Sequence, residues 1–331
     1  MEKIFSALVV REQEAGKFTR SLEQVKMEDL PDGEVLIKVH YSSLNYKDGL
    51  SAVGNKGVTR NYPHTPGIDA AGTVAYSSVP EFSKGEEVIV TGFDLGMNTN
   101  GGYGEYIRVP SAWVIPLPKG LTLKESMIFG TAGLTAGLCT EALIAHGITP
   151  SKGPVLVSGG SGGVGSLSVA ILSKLGYEVI AVTGKKKAHE ILKSLGVGKI
   201  ISREEAVDSS GKPLLRPIYA GAIDTVGGSI LTTAMKSLKY GGSIACCGLV
   251  SSPKIDLTVF PFILKGNNLL GIDSVECEIQ KRIDVWNKLA GPWKPDQLSK
   301  ITETCNLDQL SDKIQQILKG ELMGRTVVSL Y

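Results

Sequence analysis

The apolar positions of this chain change their period near residue 123. Before that point short alternating runs dominate: VLIKVHYSS at 35–43, AAGTVAYS at 70–77, EEVIVTGF at 86–93 and EYIRVP at 105–110, separated by Gly, Pro and Asp. Period-two alternation bounded by turn residues predicts strands, and their glycine-rich spacing predicts an antiparallel, barrel-like domain. After Pro118, LTLKESMIFGTAGLTAGLCTEALIAHG carries apolar residues at helical spacing, and Thr122 followed by Glu125 has the form of a capping box.

From Gly153 onward, continuous apolar runs (PVLVSGG, YEVIAVTG, KIIS, AGAIDTVGG, SIACCGL, LLGIDS) alternate with helical segments such as VGSLSVAILSKLG and ILTTAMKSLKYGG. Strands apolar throughout are covered on both faces, and alternation with helices gives a parallel sheet. Right-handed crossovers then produce the doubly wound α/β Rossmann fold. The tail from residue 296, DQLSDKIQQIL followed by GRTVVSLY, comes after the sixth strand and is expected to return to the first domain. The expected division is 1–123 with 296–331 for the barrel-type domain and 124–295 for the Rossmann domain. SIACCGL and LLGIDS are expected at an edge of the nucleotide sheet, and an apolar edge covered by a second subunit predicts a homodimer.

Composition narrows the partners. A formal charge of +2 from 35 basic and 33 acidic residues creates no field suited to nucleic acid or an anionic membrane, so the expected ligand is a small molecule. The N-terminal apolar stretch is broken by Arg11 and Glu12, too early for a signal segment, and no apolar run of spanning length is expected later. A cytoplasmic protein is expected. The five cysteines form an odd set without CxxC spacing, which predicts reduced thiols.

Gly160-Ser161-Gly162-Gly163-Val164-Gly165 satisfies GxGxxG directly between a strand and a helix, the context in which that motif binds a dinucleotide. Its glycines permit the tight turn and close backbone approach, and the helix N-terminus faces the pyrophosphate. NAD binders carry an acid at the end of the next strand, to hydrogen-bond the ribose 2′-hydroxyl. Here Thr183, Gly184 and Lys185 stand there instead, which favours the 2′-phosphate of NADPH. Arg203, after the third strand, either flanks that phosphate or is a surface cation. No metal site is expected: no cysteine precedes Cys139, and His40 and His64 have no ligand-spaced partners. Without a Lewis acid, a C=C bond conjugated to a carbonyl is the better substrate, because it delocalises the incoming charge as an enolate.

Taken together, GGSGGVG at 159–165, SSLNYKDGL at 42–50, PGIDAAGTV at 66–74, GTAGLTA at 130–136, PFILKGNNLLGIDSV at 261–275 and GRTVV at 324–328 resemble the zinc-free medium-chain dehydrogenase/reductase superfamily. NYKD and GIDSV resemble more narrowly its YhdH/YhfP-type quinone oxidoreductase branch, which includes acryloyl-CoA reductases. The resemblance implies a GroES-like catalytic domain beside the Rossmann domain, and NADPH-dependent reduction of an activated alkene of the acryloyl-CoA kind. It also implies that Asn45 and Tyr46 are the catalytic pair at the nicotinamide, with Thr131 nearby. Gly160, Ser161, Gly162, Gly163 and Val164 would hold the pyrophosphate, and Thr183, Gly184, Lys185 and Arg203 the adenosine 2′-phosphate. Cys247, Gly248, Leu249, Ser274 and Arg325 would line the rest of the cofactor channel. Where zinc relatives have Gly-His-Glu this chain has Gly67-Ile68-Asp69.

Two roles are open to Tyr46: donor of the α-carbon proton, or a ring packed on the nicotinamide while water supplies it. Lys47 and Asp48 read as a structural ion pair, and Asp69 as a holder of backbone N–H groups. Lys56 and Arg60 are candidates for the phosphates of a CoA thioester, with solvated surface cations as the competing reading. The alternatives to alkene reduction are a quinone oxidoreductase and a non-enzymatic NADPH-binding protein.

Overall fold

The computed structural model describes residues 4–14 and 16–331. They form two compact units: Met1–Thr131 with Val275–Ala290 and Thr302–Tyr331, and Ala132–Ser274 with Gly291–Ile301.

In the second unit six parallel strands lie in the order Lys199–Ile201, Val179–Val182, Val155–Val157, Tyr219–Asp224, Leu238–Cys246, Asn268–Gly271. In chain order this is 3-2-1-4-5-6, the Rossmann arrangement. Val155–Val157 and Tyr219–Asp224 are buried along their whole length, the reason those runs carry no polar alternation. Leu156, Val182, Ala222 and Ile244 pack with Ile230, Leu231 and Met235 of the helix Gly228–Lys236 in one core cluster. Each large aliphatic so buried contributes about 1.5–3 kcal/mol. Lys199–Ile201 is at one edge of the sheet, and the last strand, Asn268–Gly271, is at the other. SIACCGL was expected there too, but Leu238–Cys246 pairs on both sides, and its Ser243, Ile244 and Ala245 are buried accordingly.

In the first unit the central strand is Val35–Ser43, with Val35, Ile37 and Val39 buried and Lys38 exposed. It pairs antiparallel with Asp69–Ser77, Tyr106–Val109 and Arg325–Ser329. Glu87–Thr91 and Ile115–Pro116 extend the sheet on one side, and Thr302–Asn306 joins Arg325–Ser329 in parallel on the other. The helix Leu307–Leu318 sends Leu310 and Ile314 into the core between Val39, Val88 and Val328. The terminal strand therefore returns to the barrel-type unit, where Val327 pairs with Ser43.

The contacts divide the chain at points other than the expected 1–123/296–331 and 124–295. Val275–Ala290 packs with the first unit because Arg282, fully buried, donates to the carbonyls of Thr91 (2.7 Å), Val275 (2.5 Å) and Cys277 (2.9 Å) and stacks on Phe93. Trp286 meets Phe129 edge to face. The apolar helix Leu123–Ala145 also departs from expectation: it is long and apolar enough to cross a membrane, but 78% of its apolar window is buried inside the protein, as in a core helix. It opens on the capping box foreseen, with Thr122 N donating to Glu125 Oε2 (2.9 Å) and Glu125 N to Thr122 Oγ1 (3.2 Å). It is kinked at Gly130, whose φ of 51° and ψ of −155° are not helical.

Candidate functional site

The phosphate loop follows Val155–Val157 and leads into the helix Gly163–Lys174. Gly160 N donates to Val182 O and Gly162 N to Gly159 O, both at 2.9 Å, which folds the loop back on the sheet. A Cβ at Gly165 would collide with Gly159 O, so the close crossing of helix over loop demands glycine. Gly162 caps the helix without a side chain. Its first-turn N–H groups, those of Gly163 to Gly165, precede the first intrahelical bond, Ser166 N to Gly162 O (2.9 Å), and point outward as donors for an anion. A dinucleotide pyrophosphate fits this cradle of bare backbone.

At the end of Val179–Val182, Thr183 Oγ1 donates to Ser161 Oγ (2.9 Å) and accepts from Lys185 N (3.1 Å). The structure thus ties the phosphate loop to the strand end that the sequence singled out. Arg203 is brought there as well: a Cβ on Gly184 would lie 3.1 Å from Arg203 Nε, so glycine leaves room for the guanidinium. Burial, and then the Arg203 charge, push the Lys185 ammonium below the ordinary lysine range. Two cations held close despite their repulsion suit a doubly charged phosphate. Lys187 is exposed, a solvated helix start.

Thr225 joins the remaining pieces. A Cβ on Gly159 would strike its hydroxyl, and one on Gly248 its carbonyl, so the Cys247–Leu249 segment lies against the phosphate loop across this residue. Asp224, buried beneath, accepts from Ser158 Oγ and Gly227 N, each at 2.7 Å, and Cys247 N donates to its carbonyl (2.9 Å). A hydrogen bond from the Cys139 thiol to Cys247, followed by burial, holds Cys139 well above its usual range, so this thiol stays protonated and inert, while the Cys247 thiol donates to Asp224 O (3.4 Å). Leu249 is 65% exposed, while Ser274 is buried and bonded by Thr135 Oγ1 (2.7 Å).

The first unit gathers its polar groups around Asp69, at the start of Asp69–Ser77. One carboxylate oxygen, Oδ2, accepts from Ser43 Oγ (2.5 Å) and Asn45 Nδ2 (2.8 Å). The other, Oδ1, accepts from Thr131 N (2.9 Å) and Thr131 Oγ1 (2.6 Å), so Asp69 caps the helix that resumes after the Gly130 kink. Asn45 in turn caps the helix Tyr46–Ala52, its N–H donating to Asp48 Oδ2 (2.8 Å). Its side-chain oxygen accepts from Arg325 Nη1 (3.2 Å). Both ends of the Asn45 amide are thus engaged by protein groups, which hold this corner in place. Arg325, expected along the cofactor channel, is only 2% exposed and braces Ile128 O (2.8 Å) and Leu44 O (3.3 Å). Tyr46, by contrast, is 42% exposed at the first turn of its helix.

Asp48 forms no ion pair with Lys47, contrary to expectation. It turns inward, fully buried, and accepts from Ile68 N (2.8 Å), while Lys47 Nζ lies 3.9 Å from Met97 Sδ. Burial, and then the Asp69 charge, push the Asp48 carboxyl up to about 7. Lys56 is engaged by Glu12 Oε2 (2.6 Å) and sits over the Tyr62 ring, so a CoA phosphate would have to compete for it. Among the described residues no three His, Cys, Asp or Glu side chains come together in a group that could hold a metal ion. The sequence reading missed the convergence on Asp69; a glycine inside an apolar helical run, followed by threonine, was the available signal.

Two family models match the chain: an alcohol dehydrogenase GroES-like domain over residues 31–119 and a zinc-binding dehydrogenase domain over 163–289. The chain is 44% identical over 331 residues to the putative quinone oxidoreductase YhfP of Bacillus subtilis, covering 100% of both chains. The structure of YhfP with NAD bound superposes with a TM-score of 0.96 at 43% identity, covering 99% of this chain and 100% of that one. The acrylyl-CoA reductase AcuI of Ruegeria pomeroyi is 44% identical over 328 residues, 99% of each chain. The yhdH oxidoreductase of Salmonella enterica in complex with NADP superposes with a TM-score of 0.95 at 42% identity, covering 98% of this chain and 100% of that one.

Proposed function

Since the chain belongs to the medium-chain dehydrogenase/reductase superfamily, in its quinone oxidoreductase and acrylyl-CoA reductase family, we propose that it reduces the C=C bond of an acryloyl-CoA-type thioester with NADPH. The observation that carries the cofactor choice is the Lys185 and Arg203 pair beside Gly184, at a strand end without a carboxylate. Near full-length similarity to an acrylyl-CoA reductase supports the substrate class.

When bound, the reduced nicotinamide supplies the hydride that the β-carbon of the alkene receives. The N–H groups of Gly163 to Gly165 and the Ser161 hydroxyl hold the pyrophosphate; Lys185 and Arg203 hold the 2′-phosphate, and Thr183 Oγ1, which donates to Ser161 and accepts from Lys185 N, fixes the strand end beside it. Thr131 and Tyr46 border the nicotinamide, and Cys247 to Leu249 shape the channel. The α-carbon takes its proton from Tyr46 or from water, which reaches the exposed Tyr46 ring. No strong acid is required, because the conjugated carbonyl already carries the charge as an enolate. Orientation is the protein's contribution.

Quinone reduction is the second reading, favoured by the similarity to YhfP. Steady-state rates with acryloyl-CoA, longer enoyl thioesters, enones and quinones, each with NADPH and NADH, test both. A kcat/KM for acryloyl-CoA no better than for a simple quinone refutes the thioester reading. We also propose a homodimer. Val250, Val259, Ile263 and Leu264, all 58–69% exposed, belong to the segment that leads into the edge strand Asn268–Gly271, and such an apolar surface is covered in stable assemblies.

A further inference from the structure

Two carboxylates of the first unit, Asp48 and Asp69, are sealed from solvent and face one buried cation, Arg325. Arg325 pairs directly with neither, since its Nε and Nη1 go to Ile128 O, Leu44 O and Asn45 Oδ1. One guanidinium against two carboxylates leaves one negative charge in excess, and burying an uncompensated charge is costly, so the cluster holds a proton at neutral pH. Four donors surround Asp69, from Ser43 Oγ, Asn45 Nδ2, Thr131 N and Thr131 Oγ1, which suits its charged form. Asp48 receives Ile68 N on Oδ1 and Asn45 N on Oδ2, each at 2.8 Å, and takes the proton. The Tyr103 hydroxyl also faces Asp48; burial keeps it protonated, and it reaches Ser43 O (3.3 Å). It can accept from neutral Asp48 or donate to the ionised form. Cys305 lies behind Tyr103, and Lys47 turns away to Met97.

Asn45 stands between the two carboxylates. Its Nδ2 is 2.8 Å from Asp69 Oδ2 and 3.3 Å from Asp48 Oδ2, and it caps the helix whose first residue is Tyr46. A hydrogen bond to a charged carboxylate is about twice as strong as one to a neutral carboxyl. Loss of the Asp48 proton therefore draws the Asn45 amide away from Asp69, while the two like charges push apart. We propose that Asp48 is a positioning residue: its proton sets where Asn45, and with it Tyr46, stands, so that Tyr46 keeps its working position while Asp48 is neutral and leaves it when Asp48 ionises. The consequence for turnover rests on the reading, given above, that Tyr46 serves the reaction.

The test follows Tyr46 and turnover separately. With 4-fluorophenylalanine in place of Tyr46, a ring that cannot titrate, the 19F resonance should move as pH rises from 6 to 9, with its midpoint where Asp48 titrates, at about 7. In wild-type protein kcat/KM for acryloyl-CoA should fall through the same midpoint, approaching about tenfold per pH unit, the slope of one lost proton. Asp48→Asn, which stays neutral, should abolish both changes. Asp69→Asn, which removes the like charge, should lower both midpoints by about one pH unit or more, a shift that a merely structural role does not produce. A 19F resonance that does not move, or one that titrates unchanged in Asp48→Asn, overturns the proposal. So does an unmoved midpoint in Asp69→Asn, which decides if Asp48→Asn fails to fold. A 19F titration abolished in Asp48→Asn beside a flat kcat/KM profile sustains the coupling and removes Tyr46 from the reaction. No turnover of acryloyl-CoA at any pH refutes the function proposed above and leaves the 19F result to decide.

Discussion

Replacing Gly130 with alanine probes the most constrained backbone position of the candidate site. Its φ of 51° and ψ of −155° lie where only glycine is at ease, so an L side chain there costs about 1–3 kcal/mol in backbone strain. The added methyl would collide with Asp69 Oδ2, approach Ser43 Oγ to 2.6 Å and Arg325 Nη2 to 3.1 Å. Moving the carboxylate stretches hydrogen bonds to Ser43, Asn45 and Thr131, each charge-assisted and costing about 1.5–3 kcal/mol when broken. Part of that loss is recovered as the helix relaxes, which leaves a destabilisation of about 3–5 kcal/mol against a typical domain stability of about 5–15 kcal/mol. Urea unfolding followed by tryptophan fluorescence and by circular dichroism measures it, the two probes checking that the units unfold together. The double variant with Asp69→Ala removes the obstructing carboxylate, so its loss should fall short of the sum of the single losses by at least about 1 kcal/mol. A loss below about 1 kcal/mol for Gly130→Ala, or strict additivity in the double variant, would refute the packing of Asp69 on the Gly130 α-carbon.

Arg203→Ala should raise KM for NADPH about 10- to 100-fold while leaving KM for NADH within about twofold, as expected for a charge-assisted contact to the 2′-phosphate alone; equal effects on both cofactors would remove Arg203 from that site. Asp48 sets a pH dependence of stability. Its folded pKa, about 7, is raised above the ordinary 3.8, so the folded state holds a proton that the unfolded chain releases. Its contribution is therefore fullest below pH 3.8 and is lost as pH rises through about 7. In Asp48→Asn the fall in unfolding free energy between pH 4 and 7 should flatten, and an unchanged slope would assign that fall to other groups. Ile263→Asp, in the exposed apolar segment before the edge strand, should convert the proposed dimer to a monomer in sedimentation velocity, and an unaltered sedimentation coefficient would exonerate that surface.

Periodicity was enough to recognise the parallel sheet. Val155–Val157, Val179–Val182 and Tyr219–Asp224 are buried on both faces, and double burial is written directly into runs without polar alternation. The phosphate loop was legible for a similar reason: its glycines answer local demands, a turn and a close helix crossing, made within a few residues. So was the cationic strand end, because a missing carboxylate is visible in a single position. The strand SIACCGL shows the limit of such reading, since apolar composition cannot tell an edge strand from its neighbour; only pairing on both sides does.

What tertiary structure alone decided is the polar machinery of the first unit. Asp69, Ser43, Asn45, Gly130, Thr131 and Arg325 come from four separated stretches of chain, and no period or spacing links them. Arg282 likewise ties Val275–Ala290 to the first unit through the backbone carbonyl of Thr91, an acceptor that every residue possesses and that leaves no mark on composition. Burial patterns repeat with the geometry of a helix or strand and so survive in the sequence. A hydrogen bond between distant residues depends on the direction of two side chains, which is set only when the whole fold has closed around them.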